Sequence, residues 1–174
     1  MGNMGNQERN SYVCRAITEA LLEMLRDRKL HEINIGEITE KAAVSRNSFY
    51  RNFTSKEDIL RKRIRQYLGE WKACTENESH TEPRHLYALL FYCAERHRDF
   101  FLTLKKAGLL YLLQDEFFLS FGPADDDNDL SAYSKAFFAY STFGFLETWI
   151  RRGMKETAPE MEQLLTSPPS KEAQ

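Results

Sequence analysis

Residues 34–53 read NIGEITEKAAVSRNSFYRNF, and their reading decides the fold. Asn34 followed three residues later by Glu37 is a capping-box spacing, which opens a helix with Ile35, Ile38 and Ala42 on its inner face. Ala43-Val44 makes a turn, and Ser45 offers a hydroxyl to cap a second helix whose inward residues are Phe49 and Phe53. The outward positions of that second helix are Arg46, Asn47, Ser48, Tyr50 and Arg51. Two short helices with fixed junctions and such a surface form a unit that can enter a nucleic-acid groove.

Working outward, residues 11–27 carry Val13, Ile17, Ala20, Leu21, Met24 and Leu25 at the spacing of a one-faced helix. Asn10 or Ser11 is its expected cap, and Leu30 to Ile33 is expected to be extended with Leu30 and Ile33 pointing inward. Downstream, Ser55 and Asp58 cap a longer helix to about Glu76, with Leu60, Ile64, Tyr67, Leu68 and Trp71 on one face. The polar stretch 76–82 reads as a loop, and Pro83 sits where a first helical turn tolerates it. A helix bearing Leu86, Leu89, Leu90, Cys93, Ala94 and His97 follows. Asp99 is the expected cap of the next, which buries Phe100, Phe101 and Leu104 and stops at Gly108. An apolar helix over 109–121 ends at Gly122-Pro123, before the acidic run ADDDND at 124–129.

From Leu130 to Arg152 a helix of some six turns shows aromatic residues on more than one side: Tyr133, Phe137 and Tyr140, then Phe138, Phe145 and Trp149. Burial on two sides in so small a chain points to a second subunit. Gly144 in mid-helix costs about 1 kcal/mol relative to alanine and fits a close backbone approach. Thr157 and Glu160 cap a last helix with Met161, Leu164 and Leu165. No alternating segment argues for a sheet, so the expected fold is all-α.

Charge divides the chain. Of its 174 residues, Arg9 to Gln66 hold thirteen Lys and Arg against eight Asp and Glu, whereas Tyr67 onward holds eleven against seventeen. A basic head on an acidic body suits a phosphate-binding module carried by a larger unit. With 42% hydrophobic and 29% charged residues the chain is globular. No apolar run reaches a membrane span, the first ten residues lack a signal core, and three scattered cysteines argue for a reduced, cytoplasmic setting.

Residues 33–60 resemble the DNA-binding domain of the TetR/AcrR family of bacterial transcriptional regulators. The matching string is I-N-I-x-x-I-x-x-K-A-A-V-S-R-N-S-F-Y-R-N-F-x-S-K-E-D-I-L, and with the first helix the resemblance covers about residues 10–65. It implies an N-terminal three-helix helix-turn-helix domain over 8–68, a helical ligand-binding and dimerisation domain over 69–167, and a tail at 168–174. Ala43 stands where the family most often has glycine, a departure that costs on the order of 1 kcal/mol if φ is positive there.

The expected function is that of a sequence-specific transcriptional regulator. It is a ligand-responsive repressor binding double-stranded DNA as a homodimer on a palindromic operator, paired through helices at about 131–165. Control by a protein partner in place of a small apolar or aromatic effector is the alternative. Arg46, Asn47 and Ser48 are placed for base edges, since Arg can pair with guanine and Asn with adenine. Arg51 follows on the same helix, and the resemblance assigns Tyr50, Thr39, Ser45 and Lys56 to backbone phosphate. Arg61, Lys62, Arg63 and Arg65 add nonspecific attraction or form a solvated face. No catalytic motif, cofactor or metal site is expected. Cys93 and His97, four apart, with His80 and His85 near in sequence, read as core residues, and ADDDND lacks the ligand spacing of a calcium loop.

Overall fold

Local capping chemistry sets where the helices begin. In the computed structural model the described residues are 6–76 and 83–166, with side chains described at 7–75 and 88–164. They form α1 (Asn6–Met24), a single 3-10 turn (Leu30–Glu32), α2 (Ile35–Lys41), α3 (Arg46–Asn52) and α4 (Lys56–Glu76). There follow α5 (Pro83–Arg96), α6 (Arg98–Ala107), α7 (Leu110–Phe121), α8 (Asp129–Arg151) and α9 (Ala158–Thr166). The fold is all-α, with no strand among the described residues. An N-terminal helix-turn-helix unit precedes a helical body.

The head is built on α1, which touches α2, α3 and α4. Its core is Ile17, Leu21 and Leu25 against Ile33, Ile38, Phe49, Ile59 and Leu60, all at most 3% exposed. Ile35 and Ala42 are only half-buried at its edge. In the body, α4 runs between α5 and α7, α5 lies along α9, and α7 packs on α8. Aromatic rings fill these seams: Trp71 meets Phe117 at 6.0 Å and Phe121 at 4.8 Å, and Phe91 sits edge-on to Trp149 at 5.2 Å. Phe91, Phe100 and Phe101 are core, whereas Tyr111 is exposed. Tyr87 and Leu86 have side chains outside the described residues, as does Leu165, and the loop at 77–82 and the tail lie outside them altogether.

Several boundaries differ from the sequence expectation. Helix α1 begins at Asn6, so Asn10 and Ser11 lie inside it, because Gln7 to Arg9 continue the helix upstream of those good caps. Residues 30–32 are not extended but form the 3-10 turn, closed by the Ile33 N–H on the Leu30 carbonyl. Leu30 and Ile33 still point inward. His97, not Asp99, occupies the cap position of α6; Asp99 falls within its first turn. Asn128 caps α8 through the Ser131 N–H at 3.0 Å, so that helix starts, and also ends, one residue earlier than expected.

Three helices close with the same paired backbone bonds, in which the first residue past the cap region turns left-handed. Gly108 (φ 74°) and Gly153 (φ 91°) do so freely, but Ala43 (φ 52°) pays the steric penalty of its Cβ. Around Ala43 the N–H of Val44 reaches the Thr39 carbonyl and the N–H of Ala43 reaches that of Glu40, each at 3.0 Å.

Helix α8 is two-faced, as its aromatic pattern required. Ala139, Phe143, Leu146, Trp149 and Ile150 are buried, while Leu130, Tyr133, Phe137 and Tyr140 are 66–79% exposed. Trp149 separates from Phe145, which is exposed with Leu164 of α9. Nothing lies within 4 Å of where a Cβ on Gly144 would be.

No group of three or more His, Cys, Asp or Glu that could hold a metal occurs among the described residues. Cys93 is buried beside Cys74, and burial, with that neighbour, pushes its thiol up to about 11. His97 bonds Glu70 Oε2 at 2.9 Å and stacks on Tyr67 at 3.6 Å. His80 lies outside the described residues, as does the side chain of His85. No described helix is long and apolar enough to cross a membrane.

Candidate nucleic-acid interface

The helix-turn-helix unit is held by reciprocal caps. Glu37 N–H donates to Asn34 Oδ1 at 3.0 Å, and Asn34 N–H donates to Glu37 Oε2 at 2.9 Å. Arg28 adds a third tie, its Nη1 at 2.7 Å from Glu37 Oε1, and this guanidinium is the main reason the Glu37 carboxyl lies below its ordinary range. Arg28 was not among the expected site residues. It fixes the approach to α2 from a turn nine residues earlier, and no local motif announces such a tie.

Helix α3 has its own cap, Ser45 Oγ, which accepts from Ser48 N–H at 3.1 Å and lies 2.9 Å from Ser48 Oγ. Its inner side is fixed by Phe49, fully buried, and Phe53, 3% exposed. Asn52 ties it to α1: Cys14 Sγ donates to Asn52 Oδ1 at 3.2 Å, and Asn52 Nδ2 donates to the Ser48 carbonyl at 2.9 Å. With the inner side so anchored, Arg46, Asn47, Tyr50 and Arg51 are presented to solvent together. Tyr50 is 62% exposed while its ring edge rests on Phe49 at 5.3 Å, so its hydroxyl is carried outward on a supported ring. Ser45 is also exposed, and Ser48 is half-buried.

Two expected phosphate-facing groups are placed otherwise. Thr39 is 3% exposed and donates its hydroxyl to the Gly36 carbonyl at 2.9 Å, because its position on α2 faces the turn into α3. Lys56 turns its ammonium inward and donates to the carbonyls of Leu30, at 2.7 Å, and Ile33. Those carbonyls are available because residues 30–33 fold as a 3-10 turn rather than a strand. Lys56 therefore joins the start of α4 to the entry of α2, with one N–H left to offer.

A shallow cleft beside α3 adds residues that the sequence reading missed. Arg9, Asn10 and Val13 of α1 line it together with Ser48, Arg51 and Asn52. The early start of α1 is what brings Arg9 there.

The basic residues of α4 are largely engaged within the protein. Arg61 Nη2 meets Asp115 Oδ2 at 2.7 Å and its Nη1 meets Glu116 Oε1 at 3.1 Å. Arg65 lies 3.4 Å from Asp58 and 3.5 Å from Glu116, and Lys62 lies 3.5 Å from Asp58. The pairs with Asp115 and Glu116 join α4 to α7, whereas those with Asp58 lie within α4.

Residues 17–62 match the family described as bacterial regulatory proteins, tetR family. Over 100 residues the chain is 35% identical to an uncharacterized HTH-type transcriptional regulator, YxbF, of Bacillus subtilis (strain 168); the match takes in 53% of this chain and 26% of that relative. A TetR transcriptional regulator from Streptococcus agalactiae 2603V has a similar fold, with a TM-score of 0.55 at 16% identity over 91% of this chain and 94% of that one. The likeness to the tetR family of bacterial regulatory proteins therefore rests on residues 17–62, the segment that holds α2, α3 and their caps.

Proposed function

We propose that the chain is a sequence-specific DNA-binding transcriptional regulator, with residues 8–68 as its reading head and 69–167 as its regulatory and dimerisation unit. One observation carries the reading: Arg46, Asn47, Tyr50 and Arg51 share the solvent side of a short helix capped by Ser45 and locked from behind by Phe49, Phe53 and Asn52. A rigid helix with free Arg and Asn at its N-terminal end is what major-groove reading requires. Arg46 and Asn47 pair with base edges. Ser45, Tyr50 and Arg51 hold backbone phosphate, with Ser48 between the two roles. Lys56 contributes mainly by fixing the junction of α4 with the turn.

The protein acts as a homodimer through α8 and α9. The exposed Tyr133, Phe137 and Tyr140 supply a contiguous aromatic strip on α8, and burying such side chains stabilises association. Two heads related by a two-fold axis read a palindromic operator. Repression is relieved when an effector favours a body conformation with a different head spacing, an effect limited by its differential affinity for the two states. A protein partner acting on the body is the second reading, favoured by the dense packing of Phe91, Phe100 and Phe101.

The test is selection of bound duplexes from a random pool at two salt concentrations. A palindromic winner whose affinity falls steeply with salt is expected. Arg46→Ala with Asn47→Ala should lose about 1–3 kcal/mol of discrimination per residue. Equal binding of all duplexes by the parent protein and this variant would sink the reading.

A further inference from the structure

A cleft of about 350 Å³ opens in the head between α1 and the first half of α4. Three cationic side chains line it, Arg15, Lys62 and Arg63, and no carboxylate does. Like charges gathered along a concave wall repel one another, and the apolar surface beside them weakens solvent screening. Lys62 has relief, from Asp58 Oδ2 at 3.5 Å and from the Asn52 carbonyl. Arg15 and Arg63 have no carboxylate among the described residues. Arg15 stands over the Tyr12 ring at 5.9 Å, and Arg63 gives its Nη1 to the neutral Gln66 amide oxygen at 3.1 Å. Arg63 Nε is buried without an acceptor, a costly way to leave a charged donor.

The rest of the wall is apolar or hydroxylic. Phe53 and Ile59, 3% and 0% exposed, contribute its hydrophobic part, and Ser11 lies at its edge. A guanidinium pair beside an apolar surface suits a ligand with an anionic end and a small hydrophobic end.

We propose that this cleft binds a small organic anion, a carboxylate or phosphate monoester carrying a short apolar group. Arg15 and Arg63 take the charged end, and the short apolar group lies against Cys14 and the edge of Phe53. The site stands independently of the DNA-reading proposal. Its occupancy is felt at the end of α3, because Phe53 follows that helix directly and Cys14, in the same wall, bonds Asn52.

The experiment titrates phenyl phosphate and benzoate into the ¹⁵N-labelled full-length chain without DNA, with benzyl alcohol as the neutral control. Saturable shifts at the Arg63 Nε–H signal and the Ser11 and Phe53 amides are expected with both anions and not with the alcohol. Arg63→Gln should weaken binding about tenfold, while Lys105→Gln, on α6, leaves it intact. If Arg63→Gln compromises folding, Arg15→Gln at an exposed position gives the same readout. Absence of saturation, an equal response to benzyl alcohol, or equal weakening by Lys105→Gln overturns the proposal. So does a shift of Arg63 Nε–H that appears only on adding duplex, which would assign the cleft to DNA phosphate alone.

Discussion

Glu116 of α7 is 3% exposed and lies 3.1 Å from the guanidinium of Arg61, on the helix that leaves the head. Its second oxygen, Oε2, is buried and has only Arg65 Nε, at 3.5 Å, a contact without hydrogen-bond geometry. Arg61→Ala strands this carboxylate, and removing one partner of a buried pair costs more than the pair contributes. Because Arg61 is 30% exposed, the expected loss falls below the roughly 3–5 kcal/mol of a fully buried pair, to about 2 kcal/mol, read from urea unfolding. Adding Glu116→Leu should recover most of it; a double variant no better than Arg61→Ala would show that the clasp is not the cause.

Ala43→Gly is expected to stabilise the chain. At φ 52° the alanine Cβ is strained, and glycine removes that strain while adding some entropy to the unfolded chain. The net gain should be about 0.5–1 kcal/mol, visible as a higher midpoint in urea. An unchanged or lower midpoint would mean that the left-handed turn relaxes at no cost.

Asp127 gives a pH signature. The Ala124 N–H, the Lys135 ammonium and the Ser131 hydroxyl bond its carboxylate and hold its pKa at about 2, against an ordinary 3.8. A lowered folded-state pKa means that the contribution is fully present above 3.8 and fades as pH falls towards 2. Asp127→Asn should therefore melt below the parent protein at neutral pH, and the two melting curves should converge across that window. Curves separated equally at pH 7 and pH 2 would assign the loss to shape, not charge.

The aromatic strip of α8 can be tested in solution. Phe137, 76% exposed on the isolated chain, becomes a buried anchor in the proposed dimer, and Phe137→Glu should weaken association about 100-fold or more. Sedimentation equilibrium measures this directly. A variant as dimeric as the parent would move the interface elsewhere.

What could be read from sequence was what side chains settle with near neighbours. The Asn34–Glu37 box, the Ser45 cap and the cost at Ala43 all involve groups within five residues of each other. The two-faced character of α8 was equally plain from Tyr133, Phe137 and Tyr140 on one side and Phe138, Phe145 and Trp149 on another, although Phe145 is exposed and only Trp149 of those last three is fully buried. Burial of Thr39 and the inward turn of Lys56 were not legible. Thr39 is buried where α2 meets the turn into α3, and the turn of Lys56 follows from how residues 30–33 fold: Leu-His-Glu-Ile alternates like a strand while forming a 3-10 turn. The Arg61 clasp joins residues 54 and 55 apart, a distance over which only the packing of α4 on α7 decides partners.

Gly36 gives the head a property that the exposed residues of α3 do not reveal. A methyl group there would fall 2.6 Å from Arg46 Nη2, so the arginine can rest over the start of α2 only because position 36 carries no side chain. Position 36 thereby bears on the resting posture of its neighbour, since a side chain there would make the flexible, solvent-exposed end of Arg46 shift aside. Two heads identical throughout α3 but different at 36 would release Arg46 from different starting points. A search for altered reading confined to α3 would pass over that difference.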